Sequence, residues 1–158
     1  MTTPARCLIL TVLLAFALAP SAHAAIQLDR GIAGARLGNT RAEVRAALGS
    51  PSKVGTGTND FGRWVRYTYP GKIIVFFQGR EQVTSVETAG LGDRTARGIG
   101  VGSTEGELKG AVKGLQCESL GGTTSSCRTG PLEAGNRLTD FRVANGRVES
   151  VLVGIVID

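Results

Sequence analysis

The chain has 158 residues, 18 Lys and Arg against 13 Asp and Glu, 42% hydrophobic residues, 23 Gly and one His. That is enough for one modest globular unit and too short for a large multidomain enzyme. The single His, His23, falls in a segment expected to be removed, which would leave no imidazole for catalysis or metal binding.

Residues 1–24 read as an export signal. Arg6 supplies a positive start, Leu8 to Ala19 is an uncharged apolar run, and Pro20 leads into the small-residue site Ala22-His23-Ala24, with cleavage expected after Ala24. The run is shorter than the roughly 20 residues a membrane-spanning helix needs, so a retained anchor is the weaker reading. Cys7 precedes the run rather than ending it, so lipid attachment has no support in the sequence. Removal takes away one charged side chain, Arg6, and leaves a net charge of about +4. Arg and acidic residues alternate without a like-charge block, which is the pattern of a solvated mixed surface and not of a nucleic-acid binder.

An internal similarity organises the remainder. Gly34-Ala35-Arg36-Leu37-Gly38-Asn39-Thr40-Arg41-Ala42-Glu43-Val44 aligns with Gly98-Ile99-Gly100-Val101-Gly102-Ser103-Thr104-Glu105-Gly106-Glu107-Leu108, at an offset of 64 residues. Thr40 with Glu43, and Thr104 with Glu107, have the spacing of a capping box, so each copy is expected to open a helix. Val44, Ala47 and Leu48 give the first helix an apolar stripe, which Gly49 and Pro51 end. Leu108, Ala111 and Val112 repeat the stripe, but Gly106, Gly110 and Gly114 weaken the second helix.

Strands are expected after each helix: 53–56 (weak), 63–69, 72–77 and 82–87 in the first copy, and 115–119, 126–129, 137–143 and 147–157 in the second. Asn145-Gly146 is a strong hairpin-turn signal. Val83-Thr84-Ser85-Val86 and Val148-Glu149-Ser150-Val151 extend the similarity to the last strand of each copy. The expected fold is α+β: residues 25–93 and 94–158 form two tandem repeats, each a short helix followed by a three- to four-stranded antiparallel meander, with the helices on one sheet face.

Cys117 and Cys127 remain after cleavage, an even count for an oxidising compartment, and are expected to form a disulfide across the turn-rich stretch between them. A two-residue turn at Pro70-Gly71 would pair Tyr67 with Ile74 and Val65 with Phe76, placing Trp64 and Arg66 on one face with Phe77. The Asn145-Gly146 turn would likewise pair Phe141 with Ser150 and Arg142 with Glu149. Trp64, Arg66, Phe77 and Arg142 are therefore candidate partner-binding residues if their face is open, whereas Trp64 is core if the helices cover it.

The run Leu37-Gly38-Asn39-Thr40-Arg41-Ala42-Glu43-Val44, ending at Gly49 and followed by strands, resembles the repeat unit of the β-lactamase inhibitor protein (BLIP) fold. It is also similar to the small lipoprotein (SmpA/OmlA) of the outer-membrane β-barrel assembly machinery. Tandem duplication is the BLIP-like feature, and the resemblance implies binding on a sheet surface without catalysis. Glu105 and Glu107 do not face one another on a helix, and the Gly98-x-Gly100-x-Gly102 run lacks the preceding strand of a nucleotide site. The reading is thus an exported, monomeric, non-catalytic protein, secreted or in the periplasm or envelope. It has no metal, cofactor, nucleic-acid partner or mature membrane helix, and binds a protein or envelope partner. The alternatives are an envelope structural or assembly factor touching anionic polymer or lipid, and a hydrolase inhibitor.

Overall fold

A computed structural model describes residues 25–79 and 81–157, so the expected export signal at 1–24 lies outside the described residues. The chain is a mixed fold of two helices, one small sheet and one large antiparallel sheet. The small sheet is three short strands, β1 (Ile26–Gln27), β2 (Gly31–Ile32) and β3 (Ala35–Arg36), which precede the first capping box and were not among the expected strands. Helix α1 (Arg41–Leu48) follows, then β4 (Lys53–Asn59), β5 (Gly62–Tyr69), β6 (Ile73–Gln78) and β7 (Ser85–Thr88). Helix α2 (Glu105–Ala111) precedes β8 (Gln116–Gly121), β9 (Thr124–Arg128), β10 (Arg137–Ala144) and β11 (Arg147–Ile155).

Both helices start where the capping boxes place them. The Thr40 hydroxyl accepts from the Glu43 N–H while the Glu43 carboxylate accepts from the Thr40 N–H, and Thr104 and Glu107 do the same. The turns ahead of the helices also match. Gly38 donates to the Val83 carbonyl and Val83 to that of Asn39; Gly102 donates to Val148 and Val148 to Ser103. This explains the two V-x-S-V segments. Val83 and Val148 are buried against the capping turns, while Val86 and Val151, three residues on, are buried in the sheet. Strict alternation cannot bury residues three apart, and along β11 a bulge opposite Arg142 and Val143 absorbs the extra residue.

The eight strands lie in the order β4-β5-β6-β7-β11-β10-β9-β8, all antiparallel. The strands after each helix thus form one continuous sheet, joined where β7 pairs with β11: Val151 faces Thr88 and Val153 faces Val86. One face carries the core, in which Tyr67, Val75, Phe77, Val86, Phe141, Val143 and Val151 pack with Val44 of α1, Leu108 of α2 and Ile32 of the small sheet. The β1–β2 turn is tied to the far half by Asp29, whose carboxylate accepts from the hydroxyls of Thr129 (2.6 Å) and Thr139 (2.9 Å).

Two registers differ from those expected, and both change faces. The β5–β6 connection is not the two-residue turn Pro70-Gly71 but the three-residue turn Pro70–Lys72, with Gly71 and Lys72 at positive φ. Tyr67 therefore pairs with Val75 and Val65 with Phe77. The Asn145-Gly146 turn does form, with both residues at positive φ. The bulge beyond it shifts the partners, so that Phe141 faces Val151 and Arg142 faces Ser150 rather than Glu149.

Cys117 and Cys127 face each other on β8 and β9 and are disulfide-bonded. Closing this short loop in the unfolded chain stabilises the fold by about 3 kcal/mol in the chain-entropy view. The bond holds an edge strand whose residues are all exposed.

Thr40→Ala and Thr104→Ala should each lower unfolding stability by about 1 kcal/mol in urea at pH 7, because each removes an equivalent helix cap. The backbone N–H of Thr40 holds the Glu43 carboxyl below its ordinary value, and Thr104 does the same for Glu107. A depressed folded-state pKa contributes stability above the unfolded carboxylate range, near ~4.3, and that contribution is lost as pH falls through the folded value. The Glu43→Gln, Glu107→Gln double variant should therefore lose less stability than the parent between pH 5 and pH 3; an equal loss would contradict this role.

Candidate functional site

The sheet face opposite the core is lined by the alternate residues of each strand, and its first half is built around the only Trp of the chain. Trp64 on β5 stacks on Phe76 of β6, with ring centroids 5.6 Å apart and 24° between planes. Its other support is strand β4, where Gly55 and Gly57 sit opposite Arg66 and Trp64. A Cβ on Gly57 would lie 2.4 to 2.9 Å from three indole atoms, so glycine is required there to let the ring lie against the backbone. Arg66 is exposed beside Trp64, and Ile74 continues the partly buried apolar strip. At the strand ends Gln78 and Asn59 exchange two side-chain amide hydrogen bonds of 3.0 Å, fixing the β4–β5 hairpin over this corner.

The second half of the same face is more polar. Ser126 donates to Asp140 at 2.6 Å, and the buried Arg128 pairs with Glu118, whose carboxyl that hydrogen bond holds below its usual range. Above these groups Leu120, Leu132, Leu138, Leu152 and Val156 wall a hollow of about 370 Å³. Leu120 and Leu132 are 47% and 59% exposed. Among the described residues no group of three or more His, Cys, Asp or Glu gathers as a metal site, and no helix is long and apolar enough to cross a membrane.

The four residues expected from sequence do not form one patch. Trp64 and Arg66 do share the face away from the core. Phe77 does not join them: the longer turn at Pro70–Lys72 turns it inward, where it is 1% exposed, edge-on to Tyr67 at 5.0 Å and under the Arg41 guanidinium. Arg142 is exposed on the open face, but β10 lies four strands from β5, roughly 19 Å at normal strand spacing. Sequence reasoning missed Phe76 and Gly57. Ile73-Ile74-Val75-Phe76-Phe77 is apolar throughout, so alternation gave no register, and the alternating Gly55 and Gly57 opposite a Trp were the signal left unread.

No protein-family model matches the chain, and no curated protein matches it. Among solved structures, an extracellular protein containing an SCP domain from Bacillus anthracis str. Ames is similar, with 12% identity and a TM-score of 0.51 over 75% of this chain and 44% of its own. A cysteine-rich secretory protein from Staphylococcus aureus subsp. aureus Mu50 shows 15% identity and a TM-score of 0.48 over 75% of this chain and 43% of its own. A DUF4309 family protein from Bacillus subtilis subsp. subtilis str. 168 shows 16% identity and a TM-score of 0.49 over 78% and 84%. The chain spans less than half the length of the first two. At these identities the likeness is one of fold, carried by the first. The Bacillus anthracis structure, which is neither, takes the place of the resemblance to the BLIP fold and to the SmpA/OmlA lipoprotein. The run Leu37 to Val44 encodes a turn and a capped helix start, a local device that many unrelated helices use.

Gly57→Ala should displace the indole, shifting the single-Trp emission to longer wavelength with little loss of far-ultraviolet helix and strand signal. Unchanged emission would show that Trp64 does not rest on β4.

Proposed function

We propose that the chain is an exported, non-catalytic binding protein that engages a partner protein through the open face of its large sheet, centred on Trp64, Phe76 and Arg66. The carrying observation is the fixed indole: stacked on Phe76 and seated on Gly57, its partly exposed ring is an amphipathic contact whose ordering cost is already met, beside an exposed guanidinium. Arg142 and the leucine-walled hollow extend the same face and serve as its outlying contacts. Export is supported by the Cys117–Cys127 disulfide and by the extracellular description of the Bacillus anthracis neighbour. The matched capping turns and the strand order on either side of β7 and β11 support reading residues 25–93 and 94–158 as two copies of one unit. The role proposed needs no metal or cofactor.

The test begins with capture of partners from envelope and culture medium and is decided by affinity. Trp64→Ala should weaken binding of the captured protein about thirtyfold, equivalent to about 2 kcal/mol. The same substitution should cost about 2 to 3 kcal/mol of fold stability, the lost aromatic pair together with the apolar area of a partly buried ring, and leave the chain folded. Unchanged affinity, or a stability loss large enough to account for the whole binding defect, would reject the site.

A further inference from the structure

Away from the sheet face, three arginines line one depression that runs from the second capping turn along α2. Arg94 and Arg97 lie in the segment before α2 and Arg147 opens β11; with Ser103 and Glu107 they line an open depression of about 500 Å³. Each guanidinium is held by a neutral oxygen. Arg94 Nη1 donates to Ser103 Oγ at 3.0 Å, Arg97 Nη1 to the Ala111 carbonyl at 2.8 Å, and Arg147 Nη1 to the Gly102 carbonyl at 2.9 Å. Among the described residues none of the three forms an ion pair. These bonds orient the groups without neutralising them and leave most of the five N–H donors of each free.

The one acid lining the depression is Glu107, whose Oε2 already accepts from the Thr104 N–H and hydroxyl. Three cations against one anion leave a net charge of about +2 in one concavity. The equivalent first turn has no such cluster. Arg30 stands at the position of Arg94, but the position matching Arg97 is Ala33, Thr40 bridges to Gln82 where Thr104 bridges to Arg147, and the nearby Arg41 faces Glu81 at 3.6 Å. The charge is thus a property of the second turn and does not follow from the shared architecture.

We propose that Arg94, Arg97 and Arg147 form a binding site for a dianionic phosphate group. Guanidinium forks match phosphate oxygens in pairs, three forks from two segments, the chain before α2 and the start of β11, suit a tetrahedral group better than a planar carboxylate, and the net charge matches a phosphate monoester. The site is separate from the sheet face proposed above and does not depend on it. The group is carried either by a soluble monoester or by a lipid headgroup, and the chemistry recognised is the same.

Calorimetric titration of the purified protein with inorganic phosphate and with glycerol 3-phosphate tests this, alongside sedimentation with phosphatidylcholine vesicles containing phosphatidic acid. Saturable one-to-one binding of the soluble anions is expected, weakened about tenfold by Arg97→Gln and by Arg147→Gln and unchanged by Arg137→Gln, an exposed residue of β10. Glu107→Gln, which keeps a capping side chain but removes the one negative charge, should tighten binding. Vesicle retention lost in the same two arginine variants assigns the phosphate to a lipid headgroup; soluble binding without retention assigns it to a monoester. Absence of saturable binding, an equal loss in Arg137→Gln, or weaker binding in Glu107→Gln would overturn the proposal.

Discussion

The pairing of β7 with β11 is the constraint on which the rest of the structure depends. Without it, the strands after α1 and those after α2 would be two four-stranded sheets, each with one more exposed edge. With it, Val86 and Val153 meet in the middle of one sheet, and Val44, Leu108 and Ile32 pack into a single core on one side of it. The opposite side is left as one extended surface. The unpaired edges are then β4, whose glycines are covered by Trp64, and β8, which the Cys117–Cys127 bond fastens to its neighbour.

Local signals in the sequence located the parts of this fold that short-range chemistry determines. A Thr followed three residues later by Glu marks both helix starts, because the two side chains satisfy backbone donors that nothing else in the first turn can. Asn145-Gly146 marks its hairpin because both positions need positive φ. The less local features were hidden. Lys72 takes a positive φ that its identity does not advertise, and that one residue moves the β5–β6 register. The bulge along β11 does the same beyond Asn145-Gly146. The β7–β11 junction joins residues more than sixty positions apart through valines that would serve any buried strand.

The candidate site was legible to the same degree. Trp64 and Arg66 stand on the open face because they alternate with Val65 and Tyr67, a pattern visible within one strand. Phe76 and Phe77 cannot be told apart that way, since every position from Ile73 to Phe77 is apolar and only the turn decides which one joins the tryptophan. The arginine depression was not visible at all. Arg94, Arg97 and Arg147 are ordinary members of an alternating charge pattern until the capping turn and the start of β11 bring them together.

Amide hydrogen exchange across the junction tests the central claim most directly. If the two halves form one sheet, the amides of 85–88 and 151–154 that bond across β7 and β11 should exchange as slowly as those bonding β10 to β11, through global unfolding alone. Rapid exchange at the junction, with β5 and β10 still protected, would mean that the halves fold as separate sheets and would contradict the account.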